Sequence, residues 1–208
     1  GNTICDGTSV TFTATPTNGG AAPAYPWKIP GTNVGTNSNT YTTSALINAD
    51  AVTCVLTSNA TCLAVATGTS NTINMTVNPN LTPAVSISAN PGSTVCSGTS
   101  VTFTAIPTNG GAAPSYQWKL NGTNVGTNSN TYTNAALVTG DVVTCVLTSN
   151  ATCLSVATAT SSGITMTVNP NLTPAVSIGV FPNDTLCAGT LAVYTATPTN
   201  GGTTPAYQ

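Results

Sequence analysis

Seven cysteines are the residues of this 208-residue chain best equipped for chemistry: Cys5, Cys54, Cys62, Cys96, Cys145, Cys153 and Cys187. A thiol can ligate a metal, exchange as half of a redox pair, or close a structural disulfide. The stretch TCVLTSNATCL occurs twice, at Thr53–Leu63 and Thr144–Leu154, with its cysteines eight residues apart. That spacing, with no His in the chain and no third ligand nearby, argues against both a metal clip and a redox pair. Disulfides remain. Each copy also lies downstream of a third cysteine, in TICDG and then TVCSG, so three cysteines per copy cannot all pair within that copy.

Other chemistry has few residues to carry it. Two lysines 91 positions apart and four aspartates are the only charged side chains, so charged residues make up 3% of the chain against about a quarter in an ordinary soluble domain. Phosphate-backbone binding needs clustered Lys and Arg, so no nucleic-acid partner is expected. General acid–base catalysis needs His or a partnered carboxylate, and no carboxylate has another within forty positions. The expectation is therefore no enzyme, no cofactor and no metal. No apolar run approaches ~20 residues, so no membrane insertion is expected. Without an initiator Met or a signal peptide, the chain reads as a mature or internal piece of something longer.

The elements that position the cysteines repeat every 91 residues without a gap. Cys5, Cys96 and Cys187 align, as do Cys54 with Cys145 and Cys62 with Cys153. GTSVTFTA, GTNVGTNSNTYT and VNPNLTPAVSI each recur at this period. Such a unit is too long for a solenoid repeat and suits a domain with its own core. The expected division is 1–79 (a repeat lacking its first strand), 80–170 (a complete repeat) and 171–208 (the start of a third, truncated).

Within a period every signal is β. SVTFTAIP places Val101, Phe103 and Ala105 on one face, and DVVTCVLTS places Val143, Cys145 and Leu147 on one face. GITMTVNP does the same with Ile164, Met166 and Val168. Turn clusters such as PTNGGAAP and NGTNVGTNSN separate the strands. Strands about every ten residues over some 90 residues predict a β-sandwich. YQWKLNG puts Trp118 on the third strand, where an immunoglobulin-type sandwich buries a Trp, and Trp27 is its counterpart. The position on strand B that would pair with Cys145 is Ala105, so the usual inter-sheet disulfide is absent and Cys54 and Cys145 read as buried thiols. The expected fold is all-β: tandem immunoglobulin-like sandwiches, end to end.

The run VCSGTSVTFTAIPTNGG, YQWKLNGTNVGTNSNTYT, GDVVTCVLTSNATC and ITMTVNP resembles the Ig-like or PKD-like tandem repeats of very large secreted Bacteroidota proteins, including gliding-type adhesins exported by type IX secretion. The resemblance covers the whole chain. It implies a secreted, extracellular or cell-surface location and a structural or adhesive role.

Three disulfide pairings compete. Cys54–Cys62 would staple one hairpin, and Cys5–Cys54 would tie the first turn to the strand that carries Cys54. The third pairing crosses repeats and is preferred. In an end-to-end array the exit end of one sandwich meets the entry end of the next, so Cys5 faces Cys153, and Cys96 faces its counterpart in the third repeat, where Cys187 begins the next set. The linker VNPNLTPAVSI, stiffened by Pro79 and Pro83, makes such a junction short and semi-rigid.

Other motifs favour structural roles. Asp50 and Asp141 read as turn caps, since one carboxylate per repeat is too few for calcium. Tyr25, Trp27, Tyr116 and Trp118 could form a sugar-stacking platform, but core is the better reading. NDTL at Asn183–Leu186 makes Thr185 a candidate for a covalent O-glycan. The function expected is a structural repeat segment of a long extracellular filament or adhesin stalk. Its partners would be neighbouring repeats and, laterally, other copies in a fibre. The alternative is a carbohydrate-binding or spacer array on a secreted polysaccharide-degrading enzyme.

Overall fold

The structure is a computed structural model that describes residues 1–182 and 184–208. The first repeat forms β1 (Thr3–Cys5), β2 (Val10–Thr13), β3 (Trp27–Ile29), β4 (Thr32–Val34), β5 (Thr40–Thr43), β6 (Ala51–Thr57), β7 (Thr67–Thr69), β8 (Ile73–Asn74) and β9 (Thr76–Asn78). The second forms β10 (Ala84–Asn90), β11 (Thr94–Cys96), β12 (Val101–Thr108), β13 (Ser115–Leu120), β14 (Thr123–Val125), β15 (Thr131–Asn134), β16 (Val142–Thr148), β17 (Thr158–Thr160), β18 (Ile164–Thr165) and β19 (Thr167–Asn169). The third contributes β20 (Ala175–Phe181) and β21 (Val193–Thr199).

In the second repeat one sheet runs β10-β12-β15 and the facing sheet runs β14-β13-β16-β17, with β18 also on β16. These pairings are antiparallel, whereas β11 and β19 pair in parallel along the side. This strand order is that of an immunoglobulin-like sandwich. The first repeat repeats it with β2-β5, β4-β3-β6-β7 and β1-β9. In the third, β20 pairs antiparallel with β21.

Alternation builds the core as two-sided strands require. Val101, Phe103 and Ala105 of β12 face Val143 and Cys145 of β16, with Trp118 and Met166 between them, and all are buried. Trp118 is fully buried, and its indole Nε1 donates to the Ser129 carbonyl at 2.9 Å, so its one polar atom is satisfied without reaching water. Its ring lies 6.0 Å from Tyr132 and 6.3 Å from Phe103. The first repeat has its own core around Phe12, Trp27, Val52 and Cys54.

One strand differs from its sequence pattern. GITMTVNP reads as continuous, yet it divides at Met166 into β18, which pairs with β16, and β19, which pairs with β11. Met166 stays buried across the break, and its N–H donates to the Asp141 carbonyl at 2.8 Å. The period-2 pattern is unbroken there because alternation records which side faces the core, not which strand supplies the hydrogen bonds.

Candidate functional site

The junction between the first two repeats is where the chain's reactive groups and its linker meet. Leu81 sits in the segment between β9 and β10 and forms a parallel bridge with Leu154. Its N–H donates to the Cys153 carbonyl at 2.6 Å, and its carbonyl accepts the Ser155 N–H at 2.9 Å. Thr82 Oγ1 and Ser155 Oγ are 2.8 Å apart, and Asn109 Nδ2 donates to the Thr82 carbonyl at 2.8 Å. On the other side Asn80 Nδ2 donates to the Asp6 carbonyl at 3.1 Å. The linker is thus bonded to both sandwiches it joins. Prolines at 79 and 83 leave Asn80, Leu81 and Thr82 to supply its N–H groups.

A disulfide closes the same junction. Cys5, at the end of β1, bonds to Cys153, in the loop after β16, with Cα atoms 5.1 Å apart and within the range such a bond requires. Cys153 sits at φ 59 and Cys62, its equivalent, at φ 62, so both loops hold the cysteine in the left-handed conformation that L residues rarely adopt.

The other cysteines fall into two groups. Cys54 and Cys145 are buried and unbonded, each opposite a Trp across the sheet. Burial pushes the Cys145 thiol up to about 11 and raises that of Cys54, which keeps both protonated and unreactive. Neither is joined to its neighbour in the TCVLTSNATCL stretch, so the hairpin staple Cys54–Cys62 and the Cys5–Cys54 bridge are not formed. Cys62, Cys96 and Cys187 are exposed thiols.

The remaining candidates are placed as follows. Asp141 Oδ2 accepts the Val138 N–H at 2.9 Å, and its Oδ1 accepts from Asn121 Nδ2 at 2.8 Å. Asp50 Oδ2 accepts the Ile47 N–H at 2.9 Å, so the two carboxylates tie the turns ahead of β6 and β16. Among the described residues no group of three His, Cys, Asp or Glu could hold a metal. Trp27 is 4% exposed, and Tyr25 is buried beside it; Tyr116 packs partly buried against the second core, so neither pair offers a flat stacking surface. Thr185 is exposed in the segment after β20, and Asn183 of the same motif lies outside the described residues.

Sequence reasoning missed several working residues. Ser161 Oγ accepts the Cys145 N–H at 3.0 Å, and the Ser161 N–H donates to the Cys145 carbonyl at 2.9 Å, patching the sheet between β17 and β18; Ser70 does the same for Cys54. Asn150, inside the repeated stretch, uses Oδ1 to accept the Ala113 N–H at 3.0 Å and holds the TNGG turn against the junction loop. Gly111 turns there at φ 82 directly against Asn150, which excludes any side chain. The signal for both residues was the identity of the two copies.

No protein-family model matches the chain, and no characterised protein matches it in sequence. Among solved structures it is similar to the N-terminal four Ig domains of Dscam1 isoform 6.9, at 15% identity and a TM-score of 0.37, over 80% of this chain and 43% of that one. It is also similar to the N-terminal eight Ig domains of Down Syndrome Cell Adhesion Molecule isoform 1.30.30, at 14% identity and a TM-score of 0.37, over 86% of this chain and 26% of that one. The chain spans less than half the length of these structures. Its assignment as immunoglobulin-like sandwiches rests on the strand order and core described above.

Proposed function

We propose that this chain is a structural repeat segment of a long extracellular filament or cell-surface adhesin stalk. The observation that carries the reading is the junction, where a proline-stiffened linker bonded to both sandwiches is joined by a Cys5–Cys153 disulfide. Two covalent connections between consecutive domains transmit length and orientation, which a flexible tether does not. A disulfide of this kind persists outside a reducing cytosol, which supports an extracellular location. The resemblance to secreted Bacteroidota repeats points the same way. Near-zero charge removes the electrostatic repulsion that keeps chains apart, so lateral association of copies into a fibre fits the same surface. Carbohydrate binding finds less support, because both Trp side chains are buried.

Electron microscopy of the native assembly tests this reading. Regular filaments with an axial repeat of one sandwich length support it. Isolated beads on a flexible string sink it.

A further inference from the structure

The thiol nearest in sequence to the junction disulfide is hidden in the second core. Cys145 lies eight residues before Cys153, on β16, and is fully buried in the cluster that holds Trp118, Ala105 and Met166. In the folded sandwich it cannot reach the bond. It sits mid-strand, and the three residues from it to the end of β16 alone cover ~10 Å.

The segment that covers Cys145 is also the segment that tension across the junction pulls. Load that crosses the disulfide enters the second sandwich at Cys153 and follows the chain into β17, β18 and β19. β17 pairs with Val146–Thr148 of β16, and β18 pairs with Val142 and Val143. Between them Ser161 bonds both backbone groups of Cys145, its Oγ accepting the N–H and its own N–H donating to the carbonyl. β17 has three residues and β18 has two, so few ladder bonds hold this edge. Edges of that kind open ahead of the rest of a domain. Peeling them away strips one side of β16 and frees Cys145.

We propose that Cys145 is a latent nucleophile for the junction: when β17 and β18 leave β16, it attacks Cys153 and moves the disulfide from Cys5–Cys153 to Cys145–Cys153. The Cys145 thiolate forms the new S–S bond to Cys153 Sγ and the old S–S bond breaks. Cys5 leaves as a thiolate and takes up the proton that Cys145 gave up. One disulfide replaces another, so no oxidant or reductant is consumed. Burial holds the pKa of the folded thiol up at about 11, so opening also restores its ordinary acidity and the reactive thiolate. In the open state loop length favours the new bond. It closes eight residues where the old one closes 148, and the 3/2 power of that ratio weights flexible loops by about 80-fold. Refolding favours the old bond, because a stapled Cys145 cannot return to the core. The junction is therefore bistable, locked while the second sandwich is packed and released when its edge opens. Release brings residues 6–152 into the load path and lengthens the chain without severing it. This goes beyond the stalk reading and needs only the bonded junction and the buried thiol.

The test uses the full chain, with the exposed Cys62, Cys96 and Cys187 blocked by iodoacetamide under native conditions and the reagent then removed. The dilute protein is held at about pH 8.5, near the ordinary thiol range, over a urea series. Samples are quenched with acid, digested with pepsin and mapped by mass. In native buffer Cys5–Cys153 should persist. Across the unfolding transition of the second sandwich it should give way to Cys145–Cys153, with the free thiol moved to Cys5. Cys145→Ala should lose that product, and Cys54→Ala should keep it. Ser161→Ala removes the acceptor of the Cys145 N–H and should raise the exchange rate in native buffer roughly fivefold, the worth of one net hydrogen bond. Retention of Cys5–Cys153 through the transition overturns the proposal. So does a main product containing Cys54, or a Ser161→Ala rate equal to that of the wild type. In each of these failures the Cys5–Cys153 bond of the native protein leaves the stalk reading standing.

Discussion

Cys5 and Cys153 are 148 residues apart in sequence and 5.1 Å apart at their Cα atoms. The bond between them decides how the molecule carries load. Tension applied at the chain ends passes from residue 5 across the disulfide to residue 153. The residues between form a closed loop that holds most of both cores and bears none of it. Pulled end to end in a force spectrometer, the reduced chain should release about 500 Å more contour than the oxidised one, at the ~3.3–3.6 Å each residue can span. Equal contour lengths in the two states would show that the bond does not form in solution.

The buried thiols give the sandwiches an alkaline limit. Burial raises the Cys145 thiol to about 11, above its ordinary value near 9, so the folded state holds its proton where the unfolded chain loses it. Stability from this source is whole below pH ~9 and is lost as the pH rises towards 11. Thermal melts of the second sandwich should therefore be flat below pH 9 and fall above it, and Cys145→Ala should flatten that fall. Under native conditions a maleimide should label Cys62, Cys96 and Cys187 and spare Cys54 and Cys145 until denaturant is added. Labelling of all five at one rate would contradict the packing.

The turn aspartates act through hydrogen bonds rather than through a bound cation. Asp141→Ala leaves the Val138 N–H and the Asn121 amide without their acceptor, which should cost about 1–3 kcal/mol in a denaturant titration. Adding calcium or a chelator should leave the wild-type midpoint unmoved. A calcium-dependent rise in stability would instead assign the carboxylates to a cation.

What the sequence revealed depends on which forces leave a period. Burial does: the alternation through Val101–Ala105 and Val143–Leu147 shows the two faces of β12 and β16 directly, and the Trp118 position orders the sheets. The 91-residue identity aligned Cys5 with Cys96 and Cys62 with Cys153, and so marked which cysteines are equivalent. Pairing partners leave no such trace. The change of partner at Met166, the parallel pairing of β11 with β19 and the patch by Ser161 all preserve alternation, so nothing in the pattern marks them. The contact of Leu81 with Leu154 was equally silent, since a lone Leu between prolines reads as spacer until the next domain is placed against it.

That contact supplies the last prediction. The Leu81 N–H is one of the bonds that fix the linker to the second sandwich, and it reaches the carbonyl of the disulfide-bearing Cys153 itself. Leu81→Pro deletes the donor and the Leu side chain while leaving both cores untouched. With the disulfide reduced, wild-type protein should keep the sandwiches coupled through the linker, and ¹⁵N relaxation should report one tumbling time for both. Reduced Leu81→Pro protein should give two shorter times, because the variant loses both the Leu81 N–H bond, worth about 1 kcal/mol net, and the Leu81 side chain beside Leu154. Oxidation should restore coupling in the variant, since Cys5–Cys153 does not depend on residue 81. Independent tumbling of the reduced wild type would instead assign the rigidity of the junction to the disulfide alone.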